Sequence, residues 1–501
     1  MNNLITHNLG LFKTKEVPEL SIAEFQAECL EILSNGSRMI GLFPVEENAS
    51  SKKILAVFAN DDTSAVHLTS TVFDLENDSF ESFANEFPLT NYFECELAED
   101  HHIRPLNHPW LRPVRKQDYI LDNVPYKFYN LEGDEIHEVA VGPVHAGVIE
   151  PGHFRFQCNG ENVFHLEISL GYQHRGIESI LLRSNYFKRL NLVESIAGDT
   201  VIGHTLAYCQ AIETLSKTSI SLRESMIRVV AEELERIAMH LSGLGGVAND
   251  VGFAIGAASY GRLRTLVINS MALLCGSRFG RGLLKPGGLR FDLTEEVLKK
   301  ITVNLLQVSE DIKLINDFMF SSTSVMSRLE DTGKVHNLWA KQIGLVGPAA
   351  RASAVHIDTR TNFPYGAYRY HVIQTVSLDS GDVFARAKIR SFEIDESLRF
   401  ILDLFNEMPE ENLSSQMQTK NNFTNLSLEP GAGVISLTEG WRGEIVHCLF
   451  TDTKGNLMTY KIKDPSFNNW YGLALSVRNE GISNFPLCNK SFDLSYSGHD
   501  L

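Results

Sequence analysis

Between residues 141 and 208, histidine, arginine and carboxylate side chains recur among glycines and apolar residues, the composition of a proton-handling site. His174, Arg175 and Glu178 fall close together, and a helix beginning there would set His174 and Glu178 one turn apart on one face. A histidine and a carboxylate so placed can exchange a proton, since burial tunes each toward neutral pH. The plainer reading is a buried Arg175–Glu178 ion pair that only fixes packing. Asp199 is placed to cap a helix on which Thr200, His204 and Tyr208 recur every fourth residue. For His204 the plainer reading is a core histidine satisfied by its neighbours. His145 ends Gly142-Pro143-Val144-His145 in a strand-like segment, where a surface turn is the alternative. Asp358, Arg360, Asp382, Arg386, Arg390 and Glu393 alternate in sign, as on a solvated or ion-paired face. Trp441-Arg442-Gly443 has the form of an ordinary hairpin turn.

These residues need elements to hold them. Strands over 154–158 and 163–168, joined at Asn159-Gly160, form the strongest short-range hairpin signal in the chain. Beyond them the pattern turns helical. Ser221-Leu222-Arg223-Glu224 opens a helix expected through Leu241, and Asp292-Leu293-Thr294-Glu295 opens another through Phe318. A third helix is expected over 395–408, a polar loop over 409–427, and an alternating hairpin over 431–463. Upstream, Ser21-Ile22-Ala23-Glu24 caps a helix that stops at Gly36, and strand-like runs follow at 38–43, 54–58 and 65–72. The expectation is an α+β chain: a mixed α/β domain over 1–125, then a helical bundle with small hairpin sheets over 126–501. The proline-punctuated stretch 105–125 separates the two.

A chain of 501 residues has length for two or three such units, and a formal net charge of -17 leaves no basic face for nucleic acid or an anionic membrane. No run reaches the roughly 18 apolar residues of a membrane span; the nearest, 247–258, is broken by Asn249 and Asp250. Residues 1–16 lack the apolar core of a secretory signal. Seven cysteines lie far apart with no Cys-x-x-Cys pair, which reads as reduced cytoplasmic thiols. A structural zinc or an iron-sulfur cluster held by this chain alone is not expected.

A family pattern ties the candidate residues together. Gly142-Pro143-Val144-His145, His174-Arg175-Gly176-Ile177-Glu178, Pro286-Gly287-Gly288 with Asp292-Leu293, and Gly347-Pro348 with Arg351-Ala352-Ser353 follow one another along the chain. Asp358 and Arg360, Pro364-Tyr365, Gly381-Asp382 with Arg386, Arg442-Gly443-Glu444 and Asp464-Pro465-Ser466-Phe467 continue the series. In their order and spacing the chain resembles the large subunit of membrane-bound, energy-converting nickel-iron hydrogenases of the formate hydrogenlyase type. It is similar also to the related quinone-site subunit of respiratory complex I. Residues 1–125 resemble the smaller complex I subunit that is fused ahead of it in formate hydrogenlyase-type proteins.

The resemblance also shows where the chain departs. Such hydrogenases hold their metals on two Cys-x-x-Cys pairs, because four soft thiolates are needed; the corresponding positions here are Ala197 with Thr200 and Ser495 with Gly498. A nickel-iron centre and hydrogen chemistry are therefore not expected. Arg442 matches the arginine placed over the metal, although Trp441 stands where the family has proline, and Glu178 matches the glutamate that passes protons. Gly198 replaces a tyrosine implicated in quinone binding in complex I relatives. The resemblance implies a metal-free large subunit, peripheral on the cytoplasmic face of the cell membrane. Its expected partners are an iron-sulfur small subunit, which would carry the cluster, and integral-membrane ion-transporting subunits. Glu178, Asp199, His204 and Arg442 would form a proton relay, with His145, His174 and Arg175 lining a quinone cavity. The alternatives are a quinone-reducing subunit of the NADH dehydrogenase type and a catalytically empty structural adaptor.

Overall fold

The computed structural model describes residues 2–48, 50–74, 78–116, 120–121, 124–145, 149–410 and 426–501. It is an α+β structure, as the sequence predicts. Near the N-terminus the helix Ile22–Ser34 starts on the Ser21 capping box, with Ser21 Oγ accepting from Glu24 N. It packs on an antiparallel sheet in the order Leu4–His7, Ala65–Asp74, Ser51–Asn60, Arg38–Glu47. One face of the sheet buries Phe25, Phe58 and Phe93 with Phe467 from the far end of the chain. The other buries Phe43 and Leu68 with Ile435, Leu437 and Phe450. The helix Asn91–His101, which has no counterpart among the expected elements, carries Glu94, Glu96 and Glu99 into the interior.

The Asn-Gly hairpin forms from His153–Asn159 and Asn162–Ser169, with Ile136–Val141 added at one edge. The helix begun at Ser221 continues past Leu241 to Asp250, and Thr294 caps one that runs to Ser321. Between them lies Ala254–Cys275. The helix expected over 395–408 begins twelve residues earlier, as Val383–Asn406, because Asp382 caps it through Ala385 N. Much of the loop expected over 409–427 falls outside the described residues.

The C-terminal sheet orders Leu457–Lys463, Gly443–Thr451, Ala432–Gly440 and, at its far edge, Phe12–Lys13. Every residue of its two central strands is buried, so alternation does not sort inside from outside. The helix Val201–Ser216 covers one face and the N-terminal sheet the other. Glu444 bridges the two sheets, accepting from Arg38 Nη2 (2.9 Å) and Lys463 Nζ (2.8 Å).

Burial opposes the Glu444 charge, but Arg38 and Lys463 outweigh it and hold the carboxyl down to about 2. A depressed carboxyl adds stability that is fully present above the unfolded value and is lost as pH falls toward the folded one. Glu444→Gln is therefore expected to cost most above about pH 4.5, on the order of 3 kcal/mol. The gap from the unaltered chain should close as pH falls toward 2, and urea midpoints across that range would measure it.

Candidate functional site

Arg442 lies at the tip of the hairpin between Ala432–Gly440 and Gly443–Thr451 and is almost fully buried. Its guanidinium grips Asp199 in two bonds, Nη1 to Oδ1 (2.7 Å) and Nη2 to Oδ2 (2.8 Å), and Nη1 also reaches Thr200 Oγ1 (3.3 Å). Nε donates to Asp493 O. Trp441 stacks beneath the guanidinium at 3.8 Å and donates from Nε1 to Asp199 O (2.9 Å). The residue standing in place of a proline thus clamps the same ion pair from behind.

Asp199 is not a helix cap. Thr200 occupies the cap position of Val201–Ser216 with no side-chain cap bond, and Glu235 on the neighbouring helix accepts from Ile202 N (2.8 Å) and Gly203 N (3.2 Å) instead. Burial pushes the Glu235 carboxyl up to about 8. With the helix start satisfied from a distance, the Asp199 carboxylate is free to face Arg442.

Asp199, Arg442 and His145 share the wall of a cavity of about 640 Å³, together with Phe156, Phe485 and Tyr496. His145 Nδ1 lies 3.3 Å from Pro143 O, and its buried Nε2 has no hydrogen-bond partner among the described residues. The floor beneath Arg442 holds Thr200 and, near enough to act on its charge, Asp464, beside which Ser495 and Gly498 meet. Ser495 Oγ accepts from Gly498 N (2.9 Å), and a Cβ at Gly498 would fall 2.6 Å from the Asp464 carboxyl. Among the described residues no group of three or more His, Cys, Asp or Glu is placed to hold a metal ion.

His204 is fully buried and satisfied on both nitrogens: Nε2 lies 3.0 Å from Asp464 Oδ2 and Nδ1 lies 3.1 Å from His447 Nε2. His447 Nδ1 in turn meets Tyr460 Oη at 2.8 Å. Burial disfavours the Asp464 charge, yet the bond to His204 and the nearby Arg442 hold it below the ordinary aspartate range. Burial, reinforced by His204, drives His447 well below the ordinary histidine range.

His174 and Glu178 belong to a second cavity, of about 700 Å³, whose wall includes Arg115, Tyr460 and Lys461. They do not share a helix face, because Ile177–Arg183 starts only after Gly176, which takes a left-handed conformation at φ 66°. Nor does Arg175 pair with Glu178. Arg175 Nη1 and Nη2 are spent on the carbonyls of Ser195 (2.7 Å) and Ile196 (2.9 Å), which makes it a tether for the turn ahead of Asp199. Glu178 accepts from Ile462 N (2.8 Å) and pairs with Lys461 (3.3 Å). Burial in the wall lifts its carboxyl above the ordinary range against the pull of Lys461. His174 Nδ1 is held by Asp500 O (2.7 Å). The candidate residues therefore divide, with Asp199, Arg442 and His145 at one cavity, His174 and Glu178 at the other, and His204 and Arg175 lining neither.

The alternating charges are buried, and Asp358, Arg360 and Glu393 are ion-paired, whereas Asp382 caps a helix and Arg386 and Arg390 donate mainly to backbone carbonyls and Ser491. Arg351 pairs with Glu393 and Glu439, and Arg360 with Asp358 and Glu233. His240 Nε2 bonds Glu393 (2.8 Å), and Arg390 reaches His240 Nδ1 (3.3 Å). Glu233, Glu235, His240, Glu439, His447, Tyr460 and Lys461 were not among the expected residues, and nothing in their local spacing marks them.

The family model described as respiratory-chain NADH dehydrogenase, 49 Kd subunit, matches residues 250–500. Formate hydrogenlyase subunit 5 of Escherichia coli is 27% identical over 450 residues, which span 85% of this chain and 78% of that protein. The membrane-bound hydrogenase subunit alpha of Pyrococcus furiosus is 28% identical over 365 residues, 71% of this chain and 85% of its own. An NADH-quinone oxidoreductase subunit of Bacteroides thetaiotaomicron is 26% identical over 433 residues, 79% of this chain and 80% of that one.

Proposed function

The chain belongs to the family of the respiratory-chain NADH dehydrogenase 49 Kd subunit, and from that premise we propose that it is a metal-free, hydrogenase-like large subunit of a complex I-related energy-coupling assembly. It does not itself oxidise or evolve hydrogen. The observation that carries this is the Asp464 carboxyl, anchored by His204 in the space that a Cβ at residue 498 would need. Thr200 beneath Arg442, and Ser495 with Gly498 beside Asp464, offer hydroxyls and a bare backbone, a hard and sparse donor set that does not fit a nickel-iron centre. Arg442, the arginine of the hydrogenase pattern, is instead neutralised by Asp199 and stacked on Trp441.

The work of the site is then coupling. The Nε2 of His145, unpartnered among the described residues, and the apolar wall of Phe156 and Phe485 suit an amphiphilic redox carrier such as a quinone. Any iron-sulfur cluster belongs to a partner small subunit. No helix among the described residues is long and apolar enough to cross a membrane, so ion translocation is assigned to membrane partners. The Escherichia coli relative matches 85% of this chain, against 71% for the Pyrococcus furiosus one, which supports a fused small-subunit-like region at the N-terminus of the kind found in formate hydrogenlyase-type proteins.

Isolating the chain from solubilised membranes with its partners, and assaying their metals, tests the reading. Iron with an iron-sulfur subunit and membrane subunits, without stoichiometric nickel, is the expected result; one nickel per chain overturns it. In that complex Glu178→Gln and Arg442→Met are each expected to lower coupled turnover at least tenfold. Full turnover in both variants favours the structural adaptor.

A further inference from the structure

A single file of polar side chains runs inward from the second cavity to Asp464. Tyr460 stands in the wall of the second cavity beside Lys461 and Glu178. From its hydroxyl the file runs to His447 Nδ1 (2.8 Å), from His447 Nε2 to His204 Nδ1 (3.1 Å), and from His204 Nε2 to Asp464 Oδ2 (3.0 Å). All four side chains are at most 3% exposed. Both nitrogens of both imidazoles are used, so each ring is an in-and-out link. A core that merely satisfied one buried histidine would need a single partner on each side and would not continue to a cavity wall.

We propose that Tyr460, His447, His204 and Asp464 form a proton relay that carries protons between the second cavity and the buried floor beneath Arg442. The Asp464 carboxylate only accepts, so His204 carries its hydrogen on Nε2 and accepts at Nδ1. His447 must then donate from Nε2 and accept the Tyr460 hydroxyl at Nδ1. In this resting order every donor points toward Asp464.

Passage of one proton reverses the two links from Tyr460 to His204 and leaves the His204 Nε2–H donating to Asp464. Tyr460 gives its proton to His447 Nδ1 as the His447 Nε2 proton moves to His204 Nδ1, and Tyr460 regains a proton from water in the second cavity. The product is a His204 imidazolium paired with the Asp464 carboxylate, with one positive charge gained and one proton removed from the cavity. Its charge is stabilised where Asp464 and Asp199 offset Arg442. Release in the opposite direction restores the resting order.

The relay is a property of this chain and is independent of the assembly proposed above, so it is tested on the isolated full-length protein. In histidine-labelled protein, nitrogen NMR should show His204 and His447 both protonated at Nε2 and unprotonated at Nδ1. Beside backbone amide exchange in deuterated water, nitrogen relaxation dispersion should show His204 Nδ1 exchanging between its unprotonated and protonated states as the proton arrives and leaves. Tyr460→Phe, which removes only the hydroxyl, should slow that exchange at least tenfold while backbone amides of Val201–Ser216 and Gly443–Thr451 keep their rates. Native tautomers that break the donor order overturn the proposal, as does an unchanged His204 exchange rate in the variant. If the amides also accelerate, local opening has replaced the relay; the tautomers of the unaltered protein then decide the matter alone.

Discussion

Replacing Arg351 with methionine is expected to lower the stability of the fold by about 3–5 kcal/mol, read as a fall in the urea unfolding midpoint. Arg351 is fully buried and donates from Nη1 to Glu439 Oε1 (2.8 Å) and Ile357 O (2.7 Å), and from Nε to Glu393 Oε1 (3.0 Å). Asp358 lies 3.6 Å away on the same guanidinium. Burial works against the Glu393 charge, and Arg351 is the first of the groups that overcome it. Methionine fills similar volume with no charge, leaving Glu393 and Glu439 to compete for Arg360 and His240. Breaking a buried pair by removing one partner strands a charge away from water, which is why the cost exceeds that of a surface pair. A loss below about 1 kcal/mol would mean that the network repacks around a neutral Glu393.

The second large effect is steric. Gly347 takes φ +65° against the hairpin tip, where a Cβ would fall 2.2 Å from Arg442 O and 2.5 Å from Gly443 Cα. Both neighbours are backbone, so neither can swing aside. Gly347→Ala should cost about 2–5 kcal/mol, the sum of left-handed strain and overpacking. It should also draw Arg442 off Asp199. Gly36→Ala supplies the control: φ is +84° there with nothing within 4 Å of a new Cβ, so strain acts alone at about 1–2 kcal/mol. Equal urea midpoints for the two variants would sink the account of Gly347 as a close-approach site.

The parts of the fold that could be read from the sequence are those whose causes are local. Ser21 and Ser221 each bond an N–H three residues on, so their helices announce themselves, whereas the helix expected from an Asp292 cap starts two residues later, on Thr294. Asn159-Gly160 does the same for its hairpin. Asp199 misled because a short-range rule was applied to a helix start that Glu235 satisfies across space. The helix Asn91–His101 was missed because its buried glutamates look like a solvated face; Lys461 Nζ meets Glu96 at 2.6 Å, and Val114 N donates to Glu99 at 2.8 Å. Arg386 and Arg390 hid the start of Val383–Asn406 in the same way, being tied to the remote Ser491 and Phe492. At the site, Arg442 came through the family pattern and His204 through its helical spacing. His447 and Tyr460 have no such marker, because only the register of two adjacent strands and the helix laid on them brings the three side chains into line.

The short pairing of Phe12–Lys13 with Ala432–Gly433 means that the chain is closed on itself like a buckled strap. Asn8 fastens the same edge, receiving Leu437 N at Oδ1 (2.9 Å) and giving its amide to Leu437 O (3.0 Å), while Phe467 reaches back into the core around Phe25. Noncovalent contacts therefore hold the early and late stretches of the sequence side by side. Either end braces the other, and the hairpin that carries Arg442 is held in part by a side chain 429 positions earlier in the chain.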